Sequence, residues 1–208
     1  MKALLGRWLN IYESEIALFL WTVALMFLVR GSGMILDNYA EAAFLKRYGV
    51  EYMPIVNMVN AFATFLVMGI LTGLMTRFPD ATLLCYLFIF CGVSVTFCRL
   101  LIPFDIDLIY PLLFMLKAQY EVLLALLFWN LSNNLFNTRQ SKRLFPLITA
   151  GGVIGLIIGS FGTPFLAKTF SFDNLLYVYL VICIAGAALV KGMSRRFPAL
   201  LVPEKKHK

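Results

Sequence analysis

The chain has 208 residues, of which 61% are hydrophobic and 14% are charged, and its mean hydropathy is +0.85. Soluble domains contain about 25% charged residues, so this composition excludes a water-soluble protein. The formal net charge is +7, but the basic residues are scattered among the segments between apolar stretches and do not form one domain. They therefore indicate contact with the headgroups of membrane lipids and not with nucleic acid.

Six apolar stretches follow one another, each close to the ~20 residues that a helix needs to cross a ~30 Å hydrocarbon layer. They are residues 16–36, 53–75, 82–102, 108–131, 144–166 and 172–190. The pattern predicts an all-α, polytopic membrane protein with six transmembrane helices. The connections between them are short, so consecutive helices must alternate in direction and both termini must lie on one side.

The Lys and Arg residues of the connections and tails are distributed unequally between the two sides. The side of the termini holds Lys2, Arg7, Arg77, Arg139, Lys142, Arg143, Lys191, Arg195, Arg196, Lys205, Lys206 and Lys208, whereas the other holds Lys46, Arg47 and Lys168. Basic loops stay in the cytoplasm, so both termini are predicted to be cytoplasmic. The predicted organisation is an interfacial segment at 1–15, a six-helix transmembrane domain at 16–190 and a basic cytoplasmic tail at 191–208.

Three ionisable residues lie well inside predicted helices, namely Arg30 in the first and Lys117 and Glu121 in the fourth. An isolated charge at the bilayer centre costs from ~3 to more than ~10 kcal/mol, so such residues face a partner or a cavity. Lys117 and Glu121 are spaced i, i+4, which predicts an ion pair on one helical face, and Arg30 is expected to pair with Asp37 or to snorkel. The alternative is a polar cavity between the first and fourth helices that admits an anionic or zwitterionic solute.

Polar residues near these charges extend the candidate pathway. Asn57 and Asn60 lie with Thr64 on one stripe of the second helix, and Gln119 lies beside the charged residues of the fourth. The predicted substrate or proton pathway consists of Arg30, Asn57, Asn60, Lys117, Gln119 and Glu121.

Glycines at four-residue spacing occur in the second and fifth predicted helices. Small residues at this spacing let helix backbones approach closely, which predicts helix packing rather than solute contact. The residues concerned are Gly69, Gly73, Gly151, Gly155 and Gly159.

Residues that support catalysis are not found in the predicted core. The only histidine is His207, and neither a cluster of carboxylates nor a pairing of nucleophile and base is evident. The four cysteines lie inside spans without a zinc-binding spacing. We therefore predict that the protein is not an enzyme and that it has no catalytic residues, metal site or cofactor.

Two segments resemble a known family. LLFWNLSNNLFNTRQSKRLFPLITAGGVIG, residues 126–155, is similar to the stretch that joins the fourth and fifth helices of ATP/ADP translocases of bacterial and plastid type and their transporter-like relatives, distant members of the major facilitator superfamily. Glu15 and LVRGSGMILDNYAEAAFLKRYGVEYMP, residues 28–54, resemble that family's Arg-containing end of the first helix and the amphipathic loop after it.

The resemblance implies the amino-terminal six-helix half of such a fold in a bacterial inner membrane. In that fold the first, second, fourth and fifth helices line a central cavity, the third and sixth face outward, and the transport site lies between two halves. The chain departs from the nucleotide carriers because residues 33–36 lack a second basic residue and because Lys117 falls where the carriers have a carboxylate. These departures argue against nucleotide exchange.

Two functions of different classes remain open. The first is a half-size transporter, which works with a second half from an identical or related chain and moves an anionic or zwitterionic solute as the halves rock. The second is a non-transporting anchor or scaffold subunit of a larger complex. In both cases we expect membrane lipids as partners and a homo-oligomer or a hetero-complex with another membrane subunit, because the intramembrane charges would otherwise face hydrocarbon.

Overall fold

The structure, a computed structural model, describes residues 12–197. Most of the predicted interfacial segment and much of the predicted tail lie outside the described residues. The described part folds into six α-helices and contains no strand. The helices are α1 (Glu13–Tyr48), α2 (Met53–Met75), α3 (Asp80–Leu101), α4 (Ile109–Leu135), α5 (Thr138–Phe170) and α6 (Leu175–Arg196). All six are long and apolar enough to cross a membrane, which confirms the predicted fold class.

The first helix is much longer than predicted. It has 36 residues and continues to Tyr48. The expectation of an amphipathic loop directly after residue 36 is therefore wrong for residues 37–48, which are helical. The apolar run ends at Leu36, but the following turns are rich in good helix formers and bury one face. That face consists of Tyr39, Ala40, Ala43 and Phe44. The helix stops where Gly49 takes a positive φ of 82°, a conformation that glycine adopts easily.

The other boundaries depart less from the predicted ones. The second helix spans residues 53–75 as predicted. The fifth helix begins at Thr138, inside the predicted connection 132–143, because the Gln140 side chain accepts a hydrogen bond from the backbone of Asn137 (2.9 Å) and closes the first turn. The sixth helix continues to Arg196, so the start of the predicted tail is helical.

The first helix is the centre of the bundle. It packs along α5 over much of its length and also contacts α4 and α6, whereas α3 packs against α6 and α4. The second helix contacts mainly α4 and buries only Leu71 among its residues. Since lipid tails are as apolar as the core, close packing and hydrogen bonds between helices hold such a bundle together.

Three glycines of α5 lie where this helix comes closest to α1. A Cβ atom added at Gly155 would lie 2.5 Å from the carbonyl oxygen of Phe27, and one at Gly159 would lie 2.8 Å from that of Gly31. A Cβ at Gly151 would lie 2.6 Å from Cγ1 of Val23. Any side chain here would collide with the facing helix, so these positions set the distance between α1 and α5.

The glycines of α2 lie in a different environment. A Cβ added at Gly69 or Gly73 would meet no atom within 4 Å among the described residues. Among the described residues, the structure therefore shows no helix packing through these two positions. The reason is that α2 turns the opposite side, which carries Thr64 and Leu71, toward the bundle.

Polar contacts tie the helices at the end of the bundle that holds Glu15. The Glu15 carboxylate forms a salt bridge with Arg143 at the start of α5. Asp80, the first residue of α3, accepts hydrogen bonds from Asn130 (2.7 Å) and Asn134 (2.6 Å) near the end of α4. These contacts fix the ends of α1, α3, α4 and α5 at one level.

The opposite end of the bundle is tied through the extension of α1. Arg47 bonds to Asp107 (Nε to Oδ1, 2.7 Å) and Asp105 (Nη2 to Oδ1, 3.0 Å) before α4. The Tyr39 hydroxyl donates to Asp173 (3.0 Å) before α6. The extra turns of α1 therefore hold the connections on this side in place.

Candidate functional site

Five charged side chains meet between α1 and α4, and we term them the charge cluster. Arg30 of α1 and Glu121 of α4 form one ion pair (Nη1 to Oε1, 2.7 Å). Lys117 of α4 forms a second pair with Asp37 of α1 (Nζ to Oδ1, 2.6 Å) and has Glu41 within 3.6 Å. The cluster therefore joins the two helices at two levels.

The predicted ion pair between Lys117 and Glu121 is wrong, and so is the pairing of Arg30 with Asp37. Because α1 and α4 run antiparallel, each charge meets an opposite charge on the facing helix. An ion pair within one helix stabilises that helix by only about 0.2–0.5 kcal/mol in water. The ion pairs between α1 and α4, by contrast, are short, direct contacts. The spacing of charges along one helix could not reveal the neighbouring helix.

The two levels of the cluster differ in their enclosure. The Lys117 side chain is only 10% exposed, and its ammonium lies 4.4 Å from the centroid of the Phe114 ring, a cation–π contact. Arg30 and Glu121 are 31% and 52% exposed. Lys117 is therefore part of the packed interior, whereas the pair of Arg30 and Glu121 lies on an open face.

The position of Arg30 depends on α5 as well as α4. A Cβ added at Gly152 would lie 3.2 Å from Cγ of Arg30, so the arginine stem crosses α5 where that helix has no side chain. The head group then reaches Glu121. The glycines of α5 thus determine the position of helix α1 and the path of the Arg30 side chain.

A cleft of about 60 Å³ lies beside the exposed ion pair. It has room for a few water molecules, whereas sites for small organic ligands measure about 300–1,000 Å³. A solute site at this position therefore needs a second surface to complete it. The lining residues are Val29, Arg30, Gly33, Met34, Asp37, Glu121 and Leu156.

Asn60 and Gln119, two of the predicted pathway residues, meet in a hydrogen-bonded contact between α2 and α4. Gln119 is 7% exposed, and its Nε2 lies 2.7 Å from Oδ1 of Asn60 and 2.6 Å from Oγ1 of Thr64. Asn57 is exposed and lies outside this contact. The structure thus separates the predicted pathway into the charge cluster between α1 and α4, a polar contact between α2 and α4, and Asn57 on the surface.

Replacing Gln119 by leucine is expected to loosen α2, because this helix buries little else. Loss of an interhelical hydrogen bond inside a membrane costs about 1 kcal/mol. Labelling of a cysteine placed at Leu71, in a background without native cysteines, should become several-fold faster. Thr72→Val is the matched control, since the exposed Thr72 hydroxyl donates to the backbone of Met68 in its own helix (2.8 Å) and, within residues 12–197, bonds to no other helix. Equal labelling of the two variants would contradict the role of Gln119.

Several residues of the site were not identified as such from the sequence. Glu41 lies beyond the apolar run of the first span, in the stretch that resembles the family's amphipathic loop. The only available signal was the spacing of Asp37 and Glu41, four residues apart, in a stretch rich in helix formers. Gly33 lines the cleft, but it belongs to no glycine repeat and carried no signal.

A sequence model of the TLC ATP/ADP transporter family matches residues 110–176, about a third of the chain. The matched segment includes nearly all of α4 and all of α5, and therefore Lys117, Gln119 and Glu121, whereas Arg30 lies outside it. No curated protein and no solved structure matches the chain. The match and the six apolar helices support a transporter-like membrane protein of the nucleotide-transporter type.

Proposed function

We propose that the protein is one half of a membrane transporter for an anionic or zwitterionic solute and that Arg30, Lys117 and Glu121 lie on the solute or proton pathway. The observation that carries this proposal is the exposed ion pair of Arg30 and Glu121 beside a cleft. Both residues lie near the midpoints of their helices, which have 36 and 27 residues. A polar opening at this depth is expensive unless it serves a solute or faces another polar surface.

The ion pair also limits the class of solute. An anionic group would replace the Glu121 carboxylate at the Arg30 guanidinium, whose planar donors suit carboxylates and phosphates. A zwitterion would bind both members of the pair, with its anionic group at Arg30 and its cationic group at Glu121. Asn60 and Gln119 bond to each other between α2 and α4 and do not line the cleft, so the proposed solute contacts rest on the charge cluster.

A second half is part of the proposal because the cleft is too small for a solute. The open face belongs to α1 and α4, with α2 and α5 beside it, while α3 packs against α6. This arrangement agrees with the half of a major-facilitator-type fold that the resemblance implies. The second half closes the cleft, and rocking of the halves alternates access to the two sides.

The proposed orientation places the Glu15 end in the cytoplasm of a bacterial cell, with the bundle in the inner membrane. Among the described residues, the Glu15 end carries Arg77, Arg139, Lys142, Arg143, Lys191, Arg195 and Arg196, and the opposite end carries Lys46, Arg47, Arg99 and Lys168. This inequality supports the orientation because basic segments resist translocation.

Uptake of labelled solutes by intact cells that express the full-length protein tests the function. The panel should contain dicarboxylates, amino acids, phosphate esters and nucleotides. Arg30→Gln is expected to lower uptake of the transported solute at least about tenfold, because it removes a charge-assisted contact. Arg99→Gln is the matched control, since Arg99 bonds to Asn174 on the α3–α6 side (3.3 Å) and should leave uptake unchanged.

Glu121→Gln separates the two solute classes. It should abolish transport of a zwitterion but preserve transport of an anion, because only the zwitterion needs the carboxylate. Unchanged uptake by a folded Arg30→Gln protein would contradict the proposed pathway. Failure to transport any solute of the panel would favour the scaffold subunit instead.

A further inference from the structure

The face of α1 and α4 beside the cleft carries four charged side chains that are partly exposed. Their exposed fractions are 31% for Arg30, 37% for Asp37, 44% for Glu41 and 52% for Glu121. We term this surface the charged face. Most of the exposed surface of α2, by contrast, is apolar and suits lipid, with residues such as Ile55, Met58, Phe62, Phe65 and Ile70.

The charges on this face alternate between helices and between levels. At the middle of the bundle α1 carries the cation, Arg30, and α4 carries the anion, Glu121. Nearer the Arg47 end the order is reversed, since α1 carries Asp37 and Glu41 while α4 carries Lys117. Each level therefore has one sign on α1 and the opposite sign on α4.

This pattern makes the charged face complementary to itself. A two-fold axis parallel to the helices and in front of the face places α1 of one copy opposite α4 of the other. Arg30 then lies opposite Glu121 of the second copy, whereas Lys117, only 10% exposed, stays paired with Asp37 and Glu41 of its own chain. The same patch serves both copies, as an isologous interface requires, and opposite charges meet at the level of Arg30 and Glu121.

We propose that the charged face binds a second copy of this chain through such a two-fold axis, so that Arg30 and Glu121 of both copies form a ring of four alternating charges. This inference rests on the proposed function in one respect, which is that the charged face lines the solute pathway. The second copy brings a second cleft opposite the first, and the two enclose the solute site between identical walls.

Two further observations support a parallel copy. Rotation about an axis along the membrane normal keeps the basic ends of both copies on one side, as the basic-residue inequality demands. It also removes partly exposed charges from hydrocarbon at mid-membrane depth, where their exposure is most unfavourable.

Disulfide cross-linking in native lipid discs tests the geometry without altering a charge. The native cysteines, Cys85, Cys91, Cys98 and Cys183, are first replaced by alanine. One tagged copy then carries Met34→Cys on α1, and a differently tagged copy carries Val122→Cys on α4. These two copies should cross-link. Phe97→Cys, on an exposed position of α3, replaces Val122→Cys in the control and should not cross-link to Met34→Cys.

Charge reversal tests the proposed contacts themselves. Two differently tagged copies that both carry Arg30→Glu, or both carry Glu121→Arg, place like charges opposite each other and should co-purify about tenfold less than the unmodified pair. An Arg30→Glu copy with a Glu121→Arg copy places opposite charges across the interface and should recover to within about twofold. The double variant in one chain restores the pairs within and between copies and serves as the folding control.

The outcomes separate this proposal from the proposed function. If unmodified copies neither co-purify nor cross-link while uptake still depends on Arg30, the second half is a different polypeptide and the two-fold dimer is overturned. If the copies cross-link through Met34→Cys and Val122→Cys but Arg30→Gln leaves uptake unchanged, the dimer stands and the proposed pathway fails. Should the single reversals not fold, cross-linking with native charges decides the question.

Discussion

Replacing Lys117 by methionine should lower the free energy of unfolding by about 2–3 kcal/mol. Methionine retains much of the apolar stem but removes the ammonium group 2.6 Å from Asp37. The Asp37 carboxylate would then lie unpaired against a packed helix inside the membrane span. Because Asp37 is 37% exposed, the loss should be smaller than the 3–5 kcal/mol of a fully buried pair. Reversible unfolding in mixed detergent micelles measures it.

A pair of double-mutant cycles identifies the partner of Lys117. Lys117→Met combined with Asp37→Asn should lose less stability than the sum of the single variants, because the second change removes the unpaired carboxylate. Lys117→Met combined with Glu121→Gln should be closer to additive. The reverse result would support an ion pair of Lys117 with Glu121 within α4 and contradict its pairing with Asp37 of α1.

Replacing Gly155 by alanine should lower stability by about 3 kcal/mol and reduce the yield of folded protein. The added Cβ would lie 2.5 Å from the carbonyl oxygen of Phe27. That oxygen belongs to the backbone of α1 and cannot rotate away, so α1 and α5 must separate along their common length. Thermal unfolding of the purified protein and its recovery as a single species measure the effect.

Gly162→Ala is the matched control on the same helix. A Cβ at Gly162 would meet no atom within 4 Å among the described residues, and alanine favours a helix more than glycine does. We expect a neutral or slightly stabilising change. Equal destabilisation by the two substitutions would show that loss of glycine itself, and not the contact with α1, limits stability.

Much of the fold could be predicted from the sequence because crossing a membrane imposes a continuous apolar length. The boundaries of α2 follow directly from its hydropathy. The end of α1 could not be found in this way, since its last turns are amphipathic and become helical through buried contacts such as those of Tyr39 and Phe44. Hydropathy detects the part of a helix that crosses lipid and misses the part that packs beyond it.

The residues of the candidate site could be predicted better than their contacts. Arg30, Lys117 and Glu121 stand out because charge is costly at their depth. Their partners depend on which helices are neighbours and on the rotation of each helix, and neither follows from the spacing within one helix. Gln119 and Asn60 likewise stand out as polar residues within apolar helices, but their hydrogen bond (2.7 Å) requires the contact between α2 and α4.

The ion pair of Arg30 and Glu121 also has a consequence for synthesis of the chain. The two residues are separated by 91 positions, which a ribosome translates in roughly 5–18 s at ~5–20 residues per second. Throughout this interval the first helix carries an arginine at its midpoint whose carboxylate partner has not yet been made. Side chains rearrange within nanoseconds, so the delay is long enough for the guanidinium to find a temporary counter-charge. We expect lipid phosphates, the insertion machinery or Asp37 of the same helix to supply this counter-charge until α4 is made.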